Sequence, residues 1–518
     1  MAIIDFFDRG QLLNPKGTAF VMEAERWTYE ASYTTTCQIA QALVLHGPAT
    51  KAKGAVLSYN HPLSWMCVLG MWRAGLTWVP LNPRSTDQEN RQLLDGFDVE
   101  ILFFQAAFSS SVKDLKSKCP QLKHLVCIDA ELPDFEHLPS WIKNQVQVAP
   151  DVYCDPDDIA AIMPTGGTTG IPKGVMLSHR NLSLSVINGV INTPYLAGES
   201  IVNLAAAPMT HSAGFLTLSA TVRGGTVVVL TKPDPVSLLE AIEQHGVTEL
   251  FLPPTVIYRL LDTPGLVDRN LSTLRYFMYG AAPMSVEKLK QCLTAFGPVM
   301  LQGYGQTEAP GSIAFLRPSD HFVNGQIAPD DRLTACGLPS ITNTLCIMDD
   351  NGKKLGRGQT GEICVRGDIV MKGYYKQPDK TAETIVDGWL HTGDVGHLDV
   401  DGFLHITDRK RDVIISGGFN VYPSEVEQVL WGHEAVLDCA VIGVPDANWG
   451  EAVKAVIELK PGAQVDAQIL IALCKEKLGS VKAPKSIEFI QSLPRSPVGK
   501  VLKKELRQIY WQENSRQI

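Results

Sequence analysis

Met163-Pro164-Thr165-Gly166-Gly167-Thr168-Thr169-Gly170-Ile171-Pro172-Lys173-Gly174 holds four glycines, three threonines and a lysine within twelve residues. Glycines let successive backbone N–H groups converge on an anion without a Cβ in the way; threonine hydroxyls add short donors, and a lysine adds full positive charge. A plain turn needs none of that combination, so the stretch is read as a cradle for a nucleotide polyphosphate. Its setting is expected to be a strand before it and a helix after it, starting around Ser178-His179-Arg180-Asn181-Leu182. Two common phosphate motifs are excluded. A Walker loop requires Gly-Lys followed by Ser or Thr, but Lys173 precedes Gly174 and Lys500 of Gly499-Lys500 precedes Val501. Nor does the stretch read G-x-G-x-x-G.

The rest of the chain fits a large globular protein. Its 518 residues exceed one ordinary core, and 45% hydrophobic with 19% charged residues is a folded, soluble composition. A net charge of −9 without a basic stripe argues against nucleic-acid binding, so a nucleotide has to be met by local cations. Eleven cysteines lie scattered with no C-x-x-C pair, a usage that suits a reducing compartment. The start, Met1-Ala2-Ile3-Ile4-Asp5-Phe6-Phe7-Asp8, places acids where a secretion signal carries positive charge. No uninterrupted apolar run is long enough to span a bilayer. A cytoplasmic protein, monomer or homodimer, is expected. G-x-S-x-G and H-E-x-x-H are both missing, which removes the simplest hydrolase and metalloprotease readings.

Short β-branched runs alternate with amphipathic stretches, as in Gly225-Thr226-Val227-Val228-Val229-Leu230 followed by Pro235 to Glu243. That alternation predicts largely parallel sheets, with ligand loops at the carboxyl ends of strands such as Leu250-Phe251-Leu252 and Tyr276-Phe277-Met278-Tyr279. Near residue 408 the charge cluster Asp408-Arg409-Lys410-Arg411-Asp412 interrupts the apolar pattern and gives way to Val413-Ile414-Ile415 and a Gly-Gly turn. Beyond it, a helix is expected from Glu425 and a strand over Asp438 to Val444.

Taken in order, the phosphate stretch, Gly303-Tyr304-Gly305-Gln306-Thr307-Glu308, Trp389-Leu390-His391-Thr392-Gly393-Asp394, Asp408 to Asn420, and Pro494-Arg495-Ser496-Pro497-Val498-Gly499-Lys500 resemble the adenylate-forming enzymes. That superfamily includes acyl-CoA synthetases, 4-coumarate-CoA ligases, luciferases and peptide-synthetase adenylation domains. The resemblance reaches nearly the whole chain, including Trp72 to Gly75 and Val79 to Pro83. It implies an α/β fold: a large N-terminal domain of several subdomains with mainly parallel βα sheets over 1–408, a hinge at 409–411 pivoting on Arg411, and a small mobile α+β C-terminal domain over 412–518.

The implied activity joins a carboxylic acid to ATP as acyl-AMP with loss of pyrophosphate, then passes the acyl group to coenzyme A. Activation is required because a free carboxylate repels nucleophiles and oxide is a hopeless leaving group. By resemblance, Thr165, Gly166, Gly167, Thr168, Thr169 and Lys173 hold the phosphates, Glu308 places Mg²⁺, and Thr307 touches phosphate. Asp394 takes the ribose hydroxyls with its paired oxygens, Arg409 lies on the ribose or phosphate side, and Gly280-Ala281-Ala282 with Gln302, Gly303, Tyr304, Gly305 and Gln306 meets adenine and substrate. Lys500 bridges the carboxylate and the α-phosphate, a task for a long flexible cation. Gly417 and Gly418 face the pantetheine arm of coenzyme A, and His211 walls the acyl pocket along with Tyr279, Gly280, Gly303 and Gly305.

Gly305 stands where acetate-specific relatives carry a blocking tryptophan, and Gly303 where malonate-specific relatives carry an arginine. The segment around His211 lacks the aspartate that amino-acid adenylation domains use. Those departures leave a medium or long fatty acid, or an aromatic monocarboxylic acid, as the expected substrate. An acyl-AMP ligase that loads a carrier protein or another acceptor is the second reading; a non-catalytic nucleotide-binding scaffold is the third.

Overall fold

The computed structural model describes residues 1–165, 172–210, 212–446, 449–495 and 501–511. Among these residues the strands form a nine-stranded sheet, an eight-stranded sheet, two five-stranded sheets and a two-stranded ribbon. The expected parallel character holds in the two large sheets. Strands Val202–Ala205, Thr226–Val229, Glu249–Leu252, Tyr276–Gly280 and Met300–Gln306 pair in parallel in the first. Lys53–Leu57, Thr77–Pro80, Val99–Phe104 and Ile159–Thr165 do so in the second.

Strand Thr226–Val229 leads into helix Pro235–His245 as the alternation predicts, with Asp234 capping the helix through Ser237 N and left-handed Gly246 ending it. Helix Pro62–Arg73 is apolar on every side because it lies between layers, and Trp65 and Trp72 on it meet Trp78 edge to face. This buried seam joins the two large sheets through one continuous core.

The phosphate stretch departs from expectation. A further strand, Lys173–Ser178, intervenes before helix His179–Asn192 and pairs antiparallel with Ile159–Thr165, Thr165 opposite Lys173. The helix does start where expected, with Ser178 as its N-cap, but an antiparallel strand stands before it. Val175 and Leu177 alternate inward, a period of two that marks a strand.

The third body is the five-stranded sheet of Thr344–Met348, Gly361–Arg366, Ile385–Val386, Trp389–Leu398 and Leu404–Arg409. Strand Ile414–Ser416 then starts another sheet, with Phe419–Val421, Val436–Asp446, Gly450–Leu459 and Ser486–Ile490. Helices Pro423–Trp431 and Ala467–Lys482 cover it, giving a small C-terminal domain with its own core around Val426, Leu430, Val441 and Leu470. The helix and strand expected near 425 and 438–444 are both present, each slightly longer. No described helix is long and apolar enough to cross a membrane.

Candidate active site

The Thr165–Lys173 hairpin presents a hydroxyl and an ammonium side by side. Short strand Gly373–Tyr374 adds to its outer edge, Tyr374 opposite Val175. Lys173 Nζ lies 4.7 Å from the centre of the Tyr374 ring, and the Tyr374 hydroxyl donates to Glu308 Oε1 at 2.8 Å. Met371 N also donates to the Glu308 carbonyl at 2.9 Å. Three distant stretches thus bring a lysine, a phenol and a carboxylate together. Burial, then the Glu308 carboxylate, push the Tyr374 phenol above its ordinary value, so it stays a donor. Residues 166–171, which include Gly166, Gly167, Thr168 and Thr169, lie outside the described residues.

A second cluster forms on the third sheet. Asp394 and Arg409 are register partners on adjacent strands, with Arg409 Nε 3.1 Å from Asp394 Oδ1. Tyr304 OH donates to the other oxygen at 2.7 Å, although Asp394 is only 4% exposed. Each oxygen keeps a further lone pair for an incoming hydroxyl. Thr392 Oγ1 accepts from Asp394 N at 3.1 Å, and Gly393, at φ +71°, donates its N–H to Glu362 Oε1 at 3.0 Å. Glu362 also meets His391 Nδ1 at 3.2 Å and Lys410 Nζ at 3.5 Å, which fixes the turn to the start of the inter-sheet connection.

Between the two clusters lie the ends of Tyr276–Gly280 and Met300–Gln306, where Gly280 faces Gly303. A Cβ on Gly280 would come 2.5 Å from the Gly303 carbonyl, so the strands approach too closely for a side chain. Ala281 at φ +65° and Ser312 at φ +84° hold left-handed backbone that costs a non-glycine residue energy, a strain that gathers at ligand sites. Among the described residues Gln306 Nε2 is buried with no partner, a donor left for a ligand. Ala282 and Thr307 are half-buried beside these strand ends.

An apolar crevice opens on the face of the sheet carrying Phe251 and Met278, which pair across strands, and is lined also by Ala207, Ala213 and Leu216. Tyr279 and Gln302 do not face it. Successive strand residues point to opposite sides, and Tyr279 is buried on the far face with Phe277 and Leu250. Its hydroxyl lies 3.0 Å from His321 Nε2 and 3.2 Å from Gln302 Oε1. Met278 and Phe251, not Tyr279, line this crevice. At Gly305 and Gly303, added Cβ atoms would meet Ser312 at 3.1 Å and 2.7 Å, so these glycines also serve close packing against strand Ala309–Leu316. His211 lies outside the described residues; the preceding Met209 N donates to Asn60 Oδ1 at 2.8 Å and Thr210 Oγ1 to Leu81 O at 3.0 Å.

A wider cleft lined by Lys51, Tyr153, Asp157, His179 and Tyr375 opens at the Ile159 end of the hairpin strand, away from Thr165. Its acids are engaged by Lys51, Arg180 and Lys372, so it offers no comparable set of free groups.

On the C-terminal domain, Gly417 and Gly418 form the turn between Ile414–Ser416 and Phe419–Val421 at φ +58° and +82°. Gly417 N donates to Trp449 O at 2.8 Å, and a Cβ there would strike the Trp449 ring at 2.5 Å. Lys500 lies outside the described residues, one position before Val501, which bridges back to Arg495. Sequence reasoning missed Tyr374 and Glu362. No local pattern marks Tyr374, whose place follows from the pairing of Gly373–Tyr374 with Met176 and Val175.

Residues 7–375 match the model of the AMP-binding enzyme family and residues 425–500 that of the AMP-binding enzyme C-terminal domain. The chain is 33% identical over 495 residues to a medium/long-chain-fatty-acid–CoA ligase of Mycobacterium tuberculosis, covering 93% of this chain and 85% of that protein. It is 34% identical to a feruloyl-CoA synthase of an Amycolatopsis species, covering 96% of each. Among solved structures, ATP-bound MatB from Rhodopseudomonas palustris aligns with a TM-score of 0.88 at 29% identity, over 98% of this chain and 99% of that one. The apo form of the same protein aligns with a TM-score of 0.79 over the same shares of the two chains. The first family match alone spans most of the sequence and takes in the hairpin, Glu308 and Tyr374, and the chain belongs to the AMP-binding, adenylate-forming enzyme superfamily.

Proposed function

We propose that the chain is an ATP-dependent acid–thiol ligase acting on a medium or long fatty acid or an aromatic monocarboxylic acid. The observation that carries this reading is the meeting of Thr165, Lys173, Tyr374 and Glu308 in one cluster, with Asp394 held by Tyr304 and Arg409 in a second. Phosphate and ribose each meet chemically matching side chains in these clusters.

In the first step a carboxylate oxygen attacks the α-phosphorus of ATP, the bond to the β-phosphate oxygen breaks, and pyrophosphate leaves. Lys173 and the hairpin threonines Thr165, Thr168 and Thr169 neutralise charge that grows on the departing phosphates. Lys500 offsets charge between the attacking carboxylate and the α-phosphate. Asp394 orients the ribose while Tyr304 and Arg409 fix the carboxylate. Mg²⁺ fits Glu308: this ion is commonly held by one or two carboxylates plus substrate phosphates, and among the described residues Tyr374 is the sole hydrogen-bond partner of the Glu308 carboxylate. The ion would supply charge neutralisation to the phosphates.

In the second step the thiol of coenzyme A attacks the acyl carbon, AMP leaves, and the thiol proton goes to solvent or to the departing phosphate. Gly417 and Gly418 provide a turn without side chains against which a narrow pantetheine arm fits. Residues 409–411 form the hinge between 1–408 and 412–518, with Arg411 at the pivot. His211 walls the acyl entrance.

The test is AMP and pyrophosphate release over a panel of fatty and aromatic acids, with and without coenzyme A. Pyrophosphate with no acid-dependent gain, or acyl-AMP that coenzyme A leaves untouched while a carrier protein consumes it, would each refute the acid–thiol reading.

A further inference from the structure

The first helix of the C-terminal domain, Pro423–Trp431, has no cap of its own: Tyr422 at its N-cap supplies no side-chain hydrogen bond. Helices elsewhere are capped locally by Ser178, Asp234, Ser285 and Asp466. Here the acceptor comes from the other side of the connection between the sheets. Asp408, on the last strand of the third sheet, accepts from Ser424 N at 2.8 Å through Oδ2, while its Oδ1 accepts from Arg409 N at 2.7 Å. Ser424 Oγ donates to the Thr407 carbonyl beside it. Asp408 is 7% exposed, so this anion at a helix N-terminus is little screened by water.

The charges around it sort into two groups. Lys503 Nζ pairs with Glu427 Oε1 at 2.7 Å and Arg507 with Asp412 Oδ1 at 2.6 Å, all four beyond residue 411. Lys503 also acts electrostatically on Asp408, opposing the rise in its pKa that burial causes. Both cations belong to helix Lys503–Tyr510, which begins three residues after Lys500. A second crossing point is Gln428, whose Nε2 donates to Met284 O at 3.1 Å and whose Oε1 accepts from Val286 N at 3.4 Å. Rotation about residues 409–411 would carry Ser424, Glu427, Lys503 and Gln428 together. It would leave the internal ion pairs intact and break the bonds to Asp408, Thr407, Met284 and Val286.

We infer that Asp408 is a positioning residue for acyl-AMP formation: a body-side carboxylate that caps the first C-terminal-domain helix and so latches that domain in the orientation seen here. The closer fit to the ATP-bound than to the apo form of the same relative supports equating this orientation with the nucleotide-loaded one. The inference rests on the ligase reading above.

The test is Asp408→Ala, with Gln428→Ala as an independent break of the same junction. Acyl-AMP formation is followed by pyrophosphate release, and thioester formation separately from supplied acyl-AMP. Loss of one helix cap corresponds to about a tenfold change in an equilibrium, so the first rate is expected to fall about tenfold in Asp408→Ala. The second rate is expected to hold or rise. Equal loss of both half-reactions, with a lowered melting temperature, would make Asp408 merely structural and overturn the proposal; so would two unchanged rates. A substrate-free arm measures fluorescence transfer between a dye on the body and one on the C-terminal domain. Both variants should shift the transfer, and an unchanged value in both overturns the latch. If wild-type protein activates no acid, the ligase reading fails, and this arm still decides the latch.

Discussion

Tyr374 joins two opposite charges, with its ring under the Lys173 ammonium and its hydroxyl on Glu308. A hydrogen bond to a charged group is worth about 1.5–3 kcal/mol, so Tyr374→Phe should slow acyl-AMP formation about tenfold or more and raise the Mg²⁺ concentration needed. Pyrophosphate release across a Mg²⁺ titration checks it, and an unmoved Mg²⁺ dependence would show that Glu308 is organised without the phenol. Two buried histidines make a second, pH-dependent prediction. Burial lowers His179 and His321 from 6.5 to about 4. His179 Nδ1 accepts from Ile3 N at 3.2 Å; His321 Nδ1 lies 2.8 Å from Arg317 O, a bond that leaves Nε2 to accept from Tyr279. Because both folded values are depressed, the unfolded chain takes up protons first as pH falls. Their contribution is fully present above about 6.5 and is lost as pH falls toward 4, on the order of 3 kcal/mol for each. Melting temperature should therefore drop between pH 7 and pH 5, and His179→Gln should flatten that slope.

At the scale of elements, the strand pair Ile159–Thr165 and Lys173–Ser178 is, on the proposed reading, the platform for the phosphates, and its packing is tight. A Cβ on Gly174 would come 2.7 Å from both Ile162 and Phe97. Gly174→Ala should cost about 1–3 kcal/mol by overpacking and raise KM for ATP, since Lys173 and Thr165 shift with their strands. A variant that melts normally and binds ATP normally would show that the hairpin tolerates the change. Legibility in the sequence divides along the same lines. Thr226–Val229 and Pro235–His245 could be read because period, cap and terminal glycine agree locally. Asp394 and Arg409 could be placed near one another only by resemblance; their pairing follows from the register of two strands. The strand Lys173–Ser178 was missed because Ser178 caps the helix that was expected there, which hid the strand before it. Tyr374 lies some two hundred residues beyond its partner strand, a pairing no local pattern contains. The face taken by Tyr279 was not legible because Tyr276-Phe277-Met278-Tyr279 is apolar throughout, although its burial alternates in the fold.

For the whole molecule, Thr165 and Lys173 come from one sheet, Tyr304 from a second and Asp394 from a third. On the proposed reading Lys500 must reach them from the C-terminal domain, and a side chain that serves one step from a moving part should affect that step alone. Lys500→Ala is accordingly expected to cut acyl-AMP formation by about a hundredfold or more, while thioester formation from supplied acyl-AMP stays within about threefold. Pyrophosphate release and thioester absorbance measure the two rates on the same preparation. Substitution of Arg411 by proline should give the reverse asymmetry. Proline fixes φ near −65° and restricts the residue before it, so a pivot at 411 is stiffened and the thioester step slows more than acyl-AMP formation. A rigid two-sheet enzyme with every group permanently in place predicts neither asymmetry, because each substitution would then disturb one fixed site and depress both rates together. Opposite responses from Lys500 and Arg411 would require two working orientations of one C-terminal domain; parallel losses would mean that the site is assembled once and does not alternate.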